Sequence, residues 1–249
     1  MGLVKPFLLL ATRSDDEVAD EEYASFLEAG GLAPSDLRRV RLEAAPMPSI
    51  DLDDYSGIIV GGSPFNASDP AESKTDVQRR VEREFTELLG VVVPRDYPFL
   101  GACYGIGLLT SNLPEGVVDD RWPEVAGPTR VALTAEGESD PVFGALQREF
   151  EAYVGHKEAC TVLPRGAVLL ASGENCPVQA FRVGRNVYAT QFHPELTRAG
   201  ILTRIRIYRD NGYFAPGGYG EVVESINASS VTEPAAVVRA FVERYAAAA

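Results

Sequence analysis

Basic residues, cysteines, histidines and long apolar runs are all scarce in this 249-residue chain, and each shortage excludes a class of function. Lysine and arginine total 23 against 36 acidic residues, a formal charge of −13 at neutral pH. Such a surface repels the phosphates of nucleic acids and anionic membranes, so neither is expected as a partner. The three cysteines, Cys103, Cys160 and Cys176, are too few and too scattered for a disulfide framework or a zinc site. No His/Cys/carboxylate set has metal-ligand spacing, so no metal and no cofactor are expected. The first apolar run, PFLLLAT, is far too short to span a membrane and is not preceded by a secretory signal pattern. A cytoplasmic protein with free thiols is the expectation.

Apolar residues are plentiful: 45% of the chain is hydrophobic, with 11 Phe and 10 Tyr, enough for a sizeable core. One domain over residues 1–249 is expected, with a core of about 6–200 and a helical extension of about 200–249. In the first half, strand-like runs alternate with helical patterns. PFLLLAT (6–12), LRRVRLEA (37–44) and YSGIIVGGSP (55–64) read as strands, and the acidic stretch DDEVADEEYASFLEAGG as a helix stopped by glycine. KTDVQRRVEREFTELLG (74–90) carries Val77, Val81, Phe85, Leu88 and Leu89 at the 3.6-residue period. This alternation predicts an α/β fold with a doubly wound, mainly parallel sheet flanked by helices. The second half is richer in strands and predicts antiparallel pairing. TRVALT, EFEAYVGHKEAC (149–160), AVLLASG, PVQAFRVG and NVYATQF follow in turn, with a hairpin at VGRN. The tail AAVVRAFVERYAAAA returns to helix.

Three stretches carry chemistry. GACYG (101–105) places Cys103 between glycines at a strand-to-helix turn. A nucleophile there needs small neighbours, because the turn is strained and the side chain must stand clear of the sheet. The helix start favours a thiolate, and the N–H of Tyr104 is placed to donate to an oxyanion. A buried cysteine in a glycine-rich packing contact is the plain alternative. QFHPE (191–195) ends a strand with His193 and, two residues on, Glu195, a candidate base and its orienting carboxylate. GGSP (61–64) ends another strand, where free N–H groups can line a ligand crevice. His156, the second of two histidines, lacks a strand-end carboxylate partner and reads as structural or as a cleft-edge residue. Cys160 and Cys176 lack an elbow and read as buried thiols.

Together GGSP, GACYG and CPVQAFRVGRNVYATQFHPE resemble the class I, or triad, glutamine amidotransferases, above all the amidotransferase domain of GMP synthases and free-standing relatives. The resemblance covers about residues 50–200. It implies that Cys103 attacks the side-chain amide of glutamine and forms a γ-glutamyl thioester. His193 would then act as base and acid, Glu195 would orient it, and the N–H groups of Gly62 and Tyr104 would hold the oxyanion. Gly61, Gly107, Asn175 and Cys176 are the candidate substrate-lining positions. One departure stands out: the family's G-x-C-x-G-x-Q has Gly107 in place of its glutamine. Losing such a polar contact costs on the order of 1–3 kcal/mol, enough to change which γ-glutamyl compound fits. No nucleotide-binding glycine loop follows residue 200, so an ammonia acceptor is expected on a separate synthetase chain, if there is one. The competing expectations are a hydrolase of γ-glutamyl peptides or amines, and a non-catalytic binding protein on the same fold.

Overall fold

A computed structural model describes residues 5–246. The parallel half is built from β1 (Phe7–Ala11), α1 (Asp16–Gly30), β2 (Leu37–Arg41), β3 (Gly57–Val60), α2 (Asp76–Val92), β4 (Phe99–Ala102) and α3 (Tyr104–Ser111). Next come β5 (Val117–Asp119), β6 (Glu124–Leu133), the one-turn α4 (Ala135–Glu138), β7 (Glu149–His156), β8 (Ala159–Val162), β9 (Val168–Gly173), β10 (Ala180–Val183) and β11 (Val187–Thr190). Three helices end the described chain: α5 (Arg198–Ile207), α6 (Tyr219–Ala228) and α7 (Ala235–Tyr245).

One nine-stranded sheet runs β2-β1-β3-β4-β11-β10-β9-β6-β7. Its first five strands are parallel neighbours, and from β11 onward every pairing is antiparallel. The expected α/β sheet with an antiparallel second half is therefore present. The VGRN hairpin joins β10 to β11, with Gly184 at φ 59, a conformation glycine adopts without steric cost. A separate two-stranded sheet pairs β5 with β8.

Alternation along β1 shows why the helices sit on both faces. Phe7 and Leu9 point to one side, with Phe26 of α1 and Phe241 of α7, while Leu8 and Leu10 point to the other, with Phe85 of α2 and Leu109 of α3. Both sets are fully buried, so β1 reads as an unbroken apolar run. Helix starts follow from local chemistry. Asp15 caps α1 by accepting from Val18 N at 3.2 Å, and Thr75 caps α2 by accepting from Gln78 N at 3.1 Å.

The run EFEAYVGHKEAC, expected as one strand, is two. β7 ends at His156, whose Nδ1 meets the Glu158 carbonyl at 2.8 Å and turns the chain, so that β8 joins the small sheet instead. α5 and α6 form a third apolar cluster over Ala126 of β6 and Tyr153 of β7. This lays the segment after residue 197 beside the carboxyl ends of β4 and β11.

Candidate active site

Cys103 lies between β4 and α3 with φ 50 and ψ −90, a conformation that costs an L-residue on the order of 1–3 kcal/mol. Its backbone N–H donates to the Thr190 carbonyl at 2.8 Å, which ties the turn to the end of β11. Gly101 is obligatory here, because a Cβ would stand 2.9 Å from the Gly105 backbone. Tyr104 is the first residue of α3, so its N–H, next to Cys103, has no acceptor within the helix.

His193 and Glu195 follow the end of β11. His193 N–H donates to the Tyr153 carbonyl at 2.9 Å, which holds the stretch against β7. On the ring, Nδ1 lies 3.0 Å from Glu195 Oε1, and a further hydrogen bond reaches Cys103. Burial alone would strip the ring of its proton, but the facing charges of Glu195 and the Cys103 thiolate outweigh it and hold His193 up to about 9. Glu195 is pushed the other way. Burial favours its neutral form, and His193 followed by Arg204 overrides it, holding the carboxyl well below the usual range. Arg204 of α5 lies 3.1 Å from Glu195 Oε1 and 3.1 Å from His193 Nδ1, and also pairs with Glu21 of α1 at 3.1 Å. Arg13 pairs with Glu22 at 2.7 Å, and Glu22 Oε1 lies 3.8 Å from Arg204. Arg13, Arg204 and His193 thus face Glu21, Glu22 and Glu195 in one charge-balanced network.

Gly62 lies against this network. A Cβ there would stand 2.6 Å from His193 Cε1 and 2.5 Å from an Arg13 nitrogen, so only glycine fits. Its N–H, expected to hold an oxyanion, donates here to Glu22 Oε1 at 3.1 Å. Gly61 borders the same carboxylate: its Cβ would lie 2.5 Å from Glu22 Oε2.

Two small cavities, of about 40 and 20 Å³, open on Cys103. The larger is mostly apolar, with His193, Ile201, Ile205 and Tyr208 in its wall. The smaller is lined by Asn66, Tyr104, Glu158 and Gln191, and Tyr213 borders both. Gly107 lies behind the smaller cavity, where a Cβ would come within 2.8 Å of Glu158 Oε1. Asn175 and Cys176, candidate substrate positions in the sequence, line neither cavity. Asn175 is exposed on the β9–β10 connection, and the fully buried Cys176 sits beside Glu124 and His156. Neither side chain borders the space open on Cys103, which corrects that expectation.

Glu124, His156 and Cys176 bring their ligating atoms within 4.8 Å of one another. Glu124 is already supplied with donors: His156 Nε2 at 2.9 Å, Thr129 at 2.7 Å and Gln179 at 2.6 Å. Burial, then the Glu124 charge, pushes the Cys176 thiol up to about 12, so it stays protonated. Glu124 and His156 thus form a hydrogen-bonded pair that fixes the β7–β8 turn, and His156 also lines the smaller cavity.

Arg13, Glu22, Glu158, Arg204 and Tyr213 escaped the sequence reading. Only Arg204 left a trace, as a cation at helical spacing between Ile201 and Ile205.

The geometry agrees with the comparisons. A model of the class-I glutamine amidotransferase family matches residues 34–200, and the chain belongs to that family. One glutamine-hydrolyzing GMP synthase subunit, from Thermoplasma acidophilum, is 30% identical over 149 residues, 59% of this chain and 67% of that protein. The glutamine-hydrolyzing GMP synthase of Caldanaerobacter subterraneus is 30% identical over 153 residues. That match takes in 61% of this chain but 27% of the synthase, so the chain spans little more than a quarter of such relatives. In fold, it is similar to a glutamine amidotransferase from Thermotoga maritima, with a TM-score of 0.73, 18% identity, and coverage of 96% of this chain and 98% of that one. The crystal structure of a GMP synthase subunit from Thermoplasma acidophilum superposes with a TM-score of 0.58 at 24% identity, over 88% of this chain and 98% of that one. Among the described residues, no helix is long and apolar enough to cross a membrane.

Proposed function

We propose that the protein hydrolyses the side-chain amide of glutamine, or of a closely related γ-glutamyl compound, through a Cys103 thioester. The observation that carries this reading is the strained Cys103 elbow hydrogen-bonded to a buried His193–Glu195 pair. With His193 held up to about 9 and hydrogen-bonded to Cys103, the ring is placed to exchange a proton with the nucleophile. Sγ attacks the amide carbon, and the electron pair of the C=O bond moves onto oxygen. The Tyr104 N–H donates to that oxyanion, and the Gly62 N–H joins it once Glu22 lets go. His193 passes its proton to the leaving nitrogen, and ammonia or an amine departs. Neutral His193 then takes a proton from water, which opens the thioester and releases the acid.

Tyr213 borders both cavities, so an amino-acid substrate displaces it on entry. The mostly apolar cavity on the α5 side leaves space for a substituent on the departing nitrogen, which favours γ-glutamyl amides as a second reading. The Thermoplasma relative is one subunit of its synthase, and a separate acceptor chain is the corresponding proposal for this protein. The test is a panel of L-glutamine and γ-glutamyl amides, read as ammonia or amine release by wild type and Cys103→Ala. Turnover by wild type that Cys103→Ala abolishes supports the reading. No release from any member, alone or with cell extract, overturns it.

A further inference from the structure

Glu158 is buried, yet neither the triad nor its supporting charges use it. Its two oxygens each accept one backbone N–H, from Ala67 and from Ser68, both at 2.7 Å. The Ser68 side chain adds a third donor, so of about four acceptor positions one is left over. Among the described residues no cationic side chain pairs with it, and burial raises its pKa. Glu158 lines the same cavity as Cys103. Gln191 lines it too, and its Oε1 is buried without a hydrogen-bond partner. The cavity beside the nucleophile therefore offers two spare acceptors, one on Glu158 and one on Gln191, and no lysine or arginine lines it. Its 20 Å³ suits one water-sized group.

Gly107 makes this arrangement fit. Any side chain at 107 would begin 2.8 Å from Glu158 Oε1, so a residue with a Cβ and this placement of Glu158 exclude each other. The turn that carries Glu158 is fixed by His156, whose Nδ1 holds the Glu158 carbonyl. The carboxylate is thus anchored on both its backbone and its oxygens, as a preorganised recognition group requires.

We propose that Glu158 binds the α-ammonium group of the substrate, with Gln191 Oε1 as a second acceptor, so that the enzyme selects γ-amides that carry a free α-amino group. This rests on the hydrolase reading for its substrate class, but the two can fail separately.

The test compares L-glutamine with glutaramate, the same amide without the α-amino group, in two ways. One is kcat/KM of the wild type. The other is calorimetric binding to Cys103→Ala, which needs no turnover. Wild type is expected to prefer L-glutamine by about 10- to 100-fold, the range of a charge-assisted hydrogen bond. Glu158→Gln is expected to remove that preference through KM, with the loss on L-glutamine at least about tenfold larger than any change on glutaramate. Gly107→Ala forces Oε1, the oxygen that holds the Ala67 N–H, to shift, so it is expected to cut the preference in the same direction. It also serves as the check should Glu158→Gln unfold.

Equal handling of the two compounds by wild type would overturn the inference and leave the hydrolase reading standing. Equal losses on both compounds in both variants would also overturn it, showing Glu158 to be only a loop clamp. A binding preference for the α-amino compound without any amide release would uphold the inference and sink the hydrolase reading.

Discussion

Arg204 Nη2 lies 3.1 Å from Glu195 Oε1, so a cation beyond the family-matched residues 34–200 grips the carboxylate that orients His193. The same guanidinium reaches Glu21 of the first helix. Replacing it with methionine removes a positive charge beside the imidazole, so the His193 pKa rises further and the alkaline limb of kcat/KM moves to higher pH. It also leaves Glu21 and Glu195 short of a partner, at a cost of about 1–3 kcal/mol. Arg204→Met should lower the thermal midpoint and raise the alkaline pKa together; an unmoved pH profile would show that Arg204 only braces the fold.

The acid–base behaviour of the wild type has a definite sign. The folded value of about 9 for His193 lies above the ordinary 6.5. Its contribution to stability is complete below about 6.5 and is lost as pH rises through about 9. Glu195 is shifted down, so its contribution is present above the usual carboxyl range and lost as pH falls below it. Activity should hold to near pH 9 and then fall as the imidazolium is lost, in step with a decline in thermal midpoint. An alkaline limb near 6.5 would show that the buried pair does not hold its proton.

Thiol reactivity separates the three cysteines. Burial pushes Cys160 up, and burial with Glu124 pushes Cys176 to about 12, whereas Cys103 is partly exposed beside an imidazolium. Iodoacetamide at about pH 6 should alkylate Cys103 first by at least roughly tenfold, read by peptide mass spectrometry. Comparable labelling of Cys160 would contradict a Cys103 activated by His193.

The positive φ of Cys103 predicts a trade of stability against chemistry. Cys103→Gly should be more stable than Cys103→Ala by roughly 1 kcal/mol, since glycine relieves the strain but adds freedom to the unfolded chain. Both variants should be inactive. Denaturant unfolding measures the difference, and equal stability would show that the turn is unstrained.

Gly62→Ala tests the crowding beside the imidazole. Its Cβ would lie 2.6 Å from His193 Cε1, and displacing a catalytic ring by about 1 Å costs about 100-fold in rate. A fall in kcat together with a lower thermal midpoint is the expected result, and an unchanged kcat would show that the ring need not hold this position.

The parallel half of the fold was legible because strands such as Phe7–Ala11 are buried on both faces and α2 carries a clean 3.6-residue stripe. The strained elbow and the imidazole beside it were legible for another reason: Gly101, Cys103 and the His-Pro-Glu stretch are local devices, written in adjacent residues. What failed was non-local. The break at His156 depends on a ring contact two residues on. Glu22 looks like any surface acid of a charged helix, yet it is fully buried against Arg13. Asn175 and Cys176 sit near the family-like stretch in sequence, but the β9–β10 connection keeps them out of both cavities at Cys103. The meaning of Gly107 appeared only once Glu158, from a distant turn, was found in the space it vacates.

The last described helix has a consequence for how the chain reaches this state. Phe241 of α7 packs against Phe7 at 5.9 Å and Tyr188 at 6.4 Å between ring centres, closing the face of the sheet on which the first strand lies. A ribosome delivers Phe7 long before Phe241. Until α7 has emerged, the apolar flank of β1 therefore has no cover from it, even after its strand neighbours have appeared. That flank is where a nascent chain is most exposed to misassociation and where a holding chaperone has most to bind. A chain cut before residue 235 should be recovered as aggregate, although every residue of the Cys103–His193–Glu195 set would still be present.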